Sequence, residues 1–322
     1  MRAPLKVYLS FDVEIWCNGW EDLDGRFPAA FERYVYGDSR EHGYALPGTL
    51  EILNRHGLKG VFFVEPLFAA RFGVAHLKTI VDLLGGHDVE LHLHPEWADE
   101  LTPLPFPGAQ VKRQHLSYYT REEQEILIRL GLDLLAQAGA GRVNAFRTGS
   151  FACNRDTLAA LAACGIPCDS SLNEIHPDSG NDLRGQLDFT RPQQIGPITE
   201  LPMTVFRDGT GRLRPAQVGS CSFAEMRTAL EDAHRSGAQH FMVLSHNFEM
   251  LRQQRPTPDR VVVRRFEALC AYLAAHPERY QVETLDRTPT LAPDAAACPL
   301  PQAPLGATLW RHAEQLWRRV AG

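Results

Sequence analysis

The chain has 322 residues, enough for one large α/β domain or two smaller ones with a sizeable core. Its 44% hydrophobic and 22% charged content is that of a globular protein and argues against disordered, collagen-like and transmembrane classes. A net charge of −6 supplies no basic footprint for nucleic acid and no general attraction to an anionic membrane, so neither is expected as a partner.

The first residues reach Asp12 and Glu14 before the apolar core of a secretion signal could form. The seven cysteines show no CxxC spacing, which argues against a disulfide framework or a cysteine zinc knuckle. Reduced thiols and a cytoplasmic location are the expectation.

Residues 6–11 form an apolar run that ends in Asp12-Val13-Glu14. Side chains alternate along a strand, so Asp12 and Glu14 share a face and Val13 takes the other. Residues 16–44 have no sustained period and are expected as a long loop with one short helix. A helix over 46–57 is marked by Pro47 in its first turn and Gly57 at its stop, and 59–64 follows as a strand covered on both faces.

A helix over 74–84 leads to a strand that carries His92 and His94, two apart and so on one face, with Pro95 ending it. Two imidazoles on one face can share a metal ion. After a loop over 96–117, the span 120–138 reads as a helix with Thr120 and Glu123 as a capping box and Ile126, Leu127, Leu130 and Leu134 as its apolar face.

A short strand, 143–146, delivers Arg147; a helix capped by Asn154 runs through Cys164; and 166–168 is a strand tipped by Asp169. Residues 175–197 are expected as a second long loop and 198–202 as a strand. A helix over 222–236, a buried strand over 240–244 ending near His246, a helix over 260–275 and a strand over 280–285 follow. Strands alternating with helices imply a parallel sheet or barrel, whose chemistry collects at the C-terminal strand tips. Those tips are Asp12, Glu14, His92, His94, Arg147, Asp169 and His246.

Residues 288–306 are rich in Pro and Ala and read as a linker. The last helix, 307–320, puts Leu309, Ala313, Leu316 and Val320 on one stripe with Trp310 and Trp317 beside it. Such a helix packs on its own domain, mediates a homo-oligomer or lies at a membrane interface.

Five segments in order resemble the polysaccharide deacetylase family, NodB-like carbohydrate esterase family 4. They are Leu-Ser-Phe-Asp-Val-Glu at 9–14, Lys-Gly-Val-Phe-Phe-Val at 59–64, Gly-His-Asp-Val-Glu-Leu-His-Leu-His-Pro at 86–95, Phe-Arg-Thr-Gly-Ser-Phe at 146–151 and Val-Leu-Ser-His at 243–246. The resemblance covers 7–285 and is nearest to the cytoplasmic-type deacetylases of surface-polysaccharide assembly. It implies an α/β fold, a distorted (β/α)7 barrel of mostly parallel strands over 1–287, followed by the linker at 288–306 and the C-terminal helix at 307–322.

The family's first motif has two adjacent aspartates, one a base and one a metal ligand; this chain has Asp12 and Glu14 around Val13. Asp12 as base with Glu14 as ligand is favoured by position, and the reverse assignment stays open. The family spaces its two histidines four apart, where this chain has Glu96 after His92. His92 therefore carries over directly, and His94 rests on its shared face with His92. By the same resemblance Arg147 orients the base, His246 protonates the leaving group, and Asp169 is a second acid able to hold an imidazole.

Two imidazoles and a carboxylate leave an open position on Zn²⁺, and the same set suits Fe²⁺ or Co²⁺. The resemblance thus implies a divalent metal held by Glu14, His92 and His94, and an N-acylated amino sugar as substrate. Two other readings stand beside it: a hydrolase of a non-sugar amide C–N bond, and a glycan-binding relative without catalysis, suggested by Val13 and the altered histidine spacing.

Overall fold

The computed structural model describes residues 2–37, 39–40, 43–176, 182–253, 255, 257–291 and 298–320, with the backbone alone for 319 and 320. The elements begin with β1 (Leu5–Val13), α1 (Leu23–Phe31), α2 (Leu46–Arg55), β2 (Val61–Val64), α3 (Phe68–Phe72), α4 (Val74–Leu83) and β3 (Asp88–Leu93). Then come α5 (Arg121–Gln137), β4 (Ala145–Thr148), α6 (Arg155–Cys164), β5 (Cys168–Asp169), β6 (Gln193–Ile195) and β7 (Ile198–Glu200). The remainder is β8 (Val205–Arg207), β9 (Leu213–Pro215), α7 (Phe223–Ser236), β10 (His240–His246), α8 (Arg260–Ala275), β11 (Tyr280–Val282) and α9 (Leu305–Val320).

The described residues fall into two compact units. The first takes in 1–60, 204–283 and 292–322. In it β1 pairs in parallel with β10 on one side and with β11 on the other. Almost every residue of β1 is buried, as a continuous apolar run covered on both faces requires. Phe11 meets Phe266 of α8 edge to face, with ring centroids 5.7 Å apart. The hairpin β8–β9 turns on Asp208, whose Oδ1 accepts from Thr210 N at 2.9 Å and Thr210 Oγ1 at 2.6 Å.

The second unit takes in 61–203 and 284–291. Its strands run β2-β3-β4-β5-β7 in parallel, with β6 antiparallel to β7 at the edge. Helices α5 and α6 start in capping boxes, Thr120 with Glu123 and Asn154 with Thr157. Fully buried Gln124 ties them together: its Nε2 donates to Tyr119 O at 2.9 Å and its Oε1 accepts from Thr157 Oγ1 at 2.7 Å.

Several expectations shift. The face α5 buries is Gln124, Leu127, Ile128, Gly131, Leu134 and Leu135, and Ile126 lies exposed. Gln124 is polar in composition but apolar in placement once its amide is satisfied, so hydropathy alone misdirected the stripe. Residues 16–44 are more helical than expected, holding α1 and a π-helix at Glu32–Tyr36. Gly25 and Pro28 obscured α1, although Leu23, Phe27, Ala30 and Phe31 keep a helical stripe. In the second expected loop β6 pairs with β7 around Gly196, whose φ of 57° suits a tight hairpin; 177–181 lie outside the described residues.

Of the stretch expected as a linker, 292–297 lie outside the described residues. Further on, Pro301 O accepts from Arg207 N at 2.8 Å and Ala303 N donates to Arg207 O at 2.9 Å, so this segment runs paired along β8.

Candidate functional site

In the first unit the parallel register of β1 and β10 sets Asp12 opposite His246. Ligand atoms of Asp12, Glu14 and His246 all lie within 4.8 Å of one another. Both carboxylates are buried and the imidazole is half-buried. An acid–acid–imidazole set of this kind can hold a cation or pass a proton.

Neighbouring side chains fix this cluster. Asn247 clamps the Glu14 backbone: its Oδ1 accepts from Glu14 N at 3.1 Å and its Nδ2 donates to Glu14 O at 3.0 Å. Trp16 Nε1 donates to Glu14 Oε2 at 2.6 Å. Behind His246 stands Glu249, with Oε2 3.5 Å from Nδ1. The other Glu249 oxygen accepts from Gln217 Nε2 at 2.9 Å and Gly219 N at 3.1 Å, which holds the carboxylate in place. Burial disfavours the imidazolium, but the hydrogen bond with Glu249 and the charges of Glu14, Glu249 and Asp12 outweigh it and push the His246 pKa up to about 9.

In the second unit His92 ends up near the tip of β3, and His94 lies just beyond it in extended backbone before the 3₁₀ turn Pro95–Glu100. Their rings meet edge to face with centroids 4.9 Å apart. His92 Nδ1 is 2.8 Å from Arg147 O, a carbonyl that can only accept, so Nδ1 carries the proton and Nε2 the lone pair. His94 Nδ1 is 3.2 Å from Glu96 Oε2, which fixes the same tautomer. Two imidazoles presenting Nε2, each braced at Nδ1 by an acceptor, is the arrangement of metal-binding histidines. The chemistry of this donor set fits a divalent metal.

Gly149 is required beside His94: a Cβ there would lie 2.6 Å from ring atoms Cε1 and Nδ1. Buried Glu65, at the end of β2, accepts from Leu67 N at 2.9 Å, and burial raises its carboxyl to about 8 against that hydrogen bond and the influence of His94.

Arg147 is fully buried. Its Nε donates to Ser170 O at 3.2 Å and its Nη2 to Ser170 Oγ at 3.1 Å, and its guanidinium sits 4.1 Å from the Phe63 ring centroid. Asp169, expected to hold an imidazole, instead accepts from Ser171 Oγ at 2.5 Å and stands opposite Glu200 in the β5–β7 register. Burial, and then the facing Asp169, push Glu200 well above the usual carboxylate range, and burial raises Asp169 too.

Sequence reasoning named Asp12, Glu14, His246, His92, His94 and Arg147. The structure gathers the first three in one unit and sets the two imidazoles together, beside the Arg147 carbonyl, in the other. It missed Trp16, Glu96, Asn247 and Glu249. Glu96 was visible as the residue four after His92, the place where the resemblance expects an imidazole; its role as the brace of His94 was not.

No protein-family model and no curated protein sequence matches this chain. Solved structures do. A Mycobacterium smegmatis protein described as a polysaccharide deacetylase aligns over 90% of this chain and 96% of its own, at 18% identity and a TM-score of 0.53. The allantoinase Puue aligns over 86% of this chain and 87% of its own, at 11% identity and a TM-score of 0.53. At such identities the likeness is one of fold, and the α/β fold it shows is the one expected, a distorted (β/α)7 barrel of mostly parallel strands.

Proposed function

We propose that this protein is a metal-dependent hydrolase that removes an N-acyl group, acetyl in the first instance, from an amino sugar in a surface-polysaccharide or O-antigen precursor. The observation that carries the reading is the tautomer of the paired histidines: Arg147 O and Glu96 occupy Nδ1 of His92 and His94, so both offer Nε2 as a ligand. In this reading Glu14 completes the ligand set. The order of the five sequence segments and the shared fold with a polysaccharide deacetylase support it.

The metal, Zn²⁺ or another divalent ion such as Fe²⁺ or Co²⁺, would acidify water and polarise the scissile carbonyl. Asp12 takes the proton of the attacking water as general base. His246, steadied by Glu249, delivers a proton to the departing amine so that it leaves neutral. Trp16 and Asn247 hold Glu14 in one orientation by its carboxylate and its backbone. Arg147 supplies positive charge in a buried setting and positions the strand tip through both Ser170 atoms.

Metal content by mass spectrometry, on protein purified without chelator or nickel, tests the ligand set. Near-stoichiometric metal is expected in the parent, with loss in His92→Ala/His94→Ala. Amine release is then followed on N-acetylated nucleotide sugars and lipid-linked glycans, with chelator abolishing it and divalent metal restoring it. Absence of metal from the parent after reconstitution would overturn the mechanism. Turnover of allantoin in place of the sugars would move the substrate to the non-sugar amides.

A further inference from the structure

Helix α9 is turned inside out. Its polar side faces inward: buried Arg311 donates from Nε to Glu225 Oε1 and from Nη2 to Asp208 Oδ2, each at 3.0 Å, and Thr308 Oγ1 donates to Glu225 Oε1 at 3.0 Å. Its apolar side faces out. Leu305, Leu309, Trp310, Leu316 and Trp317 are between 51% and 63% exposed and form one stripe. Apolar side chains gathered on a single face mark an interaction surface, and tryptophan favours the boundary between water and lipid.

Beside the stripe lies a cavity of about 300 Å³ lined by Asp208, Thr210, Arg212, Arg214, Arg311 and His312. Arg311 is fully engaged by two carboxylates, Asp208 and Glu225, so the positive charge open to a ligand is that of Arg212 and Arg214. Arg212, Arg214 and His312 have no carboxylate partner among the described residues, and Arg214 Nε is buried without a hydrogen-bond acceptor. His312 is three residues after Leu309 and four before Leu316, so helical spacing makes the cationic rim and the apolar stripe contiguous.

We propose that α9 docks on an anionic phospholipid bilayer, its leucines and tryptophans entering the interface while Arg212, Arg214 and His312 receive a lipid phosphate. Charge complementarity selects this occupant over a second copy of the chain. The one carboxylate of α9, Glu314, is already engaged by Arg265 and by Trp310 Nε1, so an identical helix brings no free anion to the cavity. No described helix is long and apolar enough to cross a membrane, so the contact is with the surface. The chain's net charge conceals this because the unpaired basic groups are local.

Full-length protein is sedimented with vesicles of phosphatidylcholine alone and with phosphatidylcholine containing phosphatidylglycerol, while tryptophan emission is recorded. Binding to the anionic vesicles, a blue shift and weakening by salt are expected. Leu309→Ser/Leu316→Ser should abolish binding, and Arg212→Gln/Arg214→Gln should weaken it about 30-fold, both with unchanged Tm. Equal binding to both vesicle types, or to neither, overturns the proposal. So does stabilisation by inorganic phosphate without vesicle binding, which makes the cavity a site for free anions. A dimer in sedimentation velocity that Leu309→Ser/Leu316→Ser dissolves, without vesicle binding, assigns the face to a second copy.

Discussion

The His94 ring packs so tightly on Gly149 that a single methyl group is a test of the metal reading. Gly149→Ala puts a carbon within 2.6 Å of the ring, which must then turn away from its brace on Glu96. Metal affinity is expected to fall 10- to 100-fold, and Glu96→Ala should cost about as much by releasing Nδ1. Competition against a chelating dye measures both; unchanged affinity in the two variants would remove His94 from the ligand set. The histidine pair was legible in the sequence because strand alternation survives nearly to its end. The brace was not, because Glu96 reaches His94 through a 3₁₀ turn whose side-chain directions no spacing rule gives. Asn247 and Glu249 were hidden similarly, in the turn after β10.

Strand β3 carries a second pair of acids at its other end. Glu90 Oε2 accepts from Asn144 N and Ala145 N, both at 2.7 Å, and Asp88 Oδ2 accepts from Leu285 N at 2.6 Å. Burial raises Asp88 to about 6; burial and the Asp88 charge raise Glu90 to about 9. Both pKa values are higher folded than unfolded, so the folded chain holds extra protons. The stability these groups give is complete below about pH 4 and is lost as pH rises towards 9. Glu90→Gln keeps an oxygen for both amides and loses the titration. Urea denaturation at pH 5 and pH 9 should show little difference from the parent at the lower pH and a gain on the order of a few kcal/mol at the higher. Parallel pH curves for parent and variant would refute this. Such pairs are not apparent in sequence, where Asp88 and Glu90 look like ordinary strand-edge acids.

Across the molecule, the alternation of strands and helices was readable because buried parallel strands are continuous apolar runs and because three helices begin in capping boxes. The β8–β9 hairpin was not read, since its strands are three residues each and its turn depends on Asp208. The sequence shows α9 as amphipathic, and of its expected stripe Leu309, Ala313 and Leu316 lie exposed while the Val320 side chain lies outside the described residues; the helix's orientation depends on where Asp208 and Glu225 lie, far away in sequence. Arg311→Ala leaves those two carboxylates, 3% and 0% exposed, without their cation and should cost about 3–5 kcal/mol in chemical denaturation. A cost within error of zero would mean that α9 is held by other contacts. Cutting the chain before Leu305 has a further effect. With Arg311 and Thr308 gone, Glu225 and Asp208 would face water instead of a guanidinium, so the shortened chain would present an acidic patch where α9 had lain and should no longer prefer anionic vesicles to neutral ones.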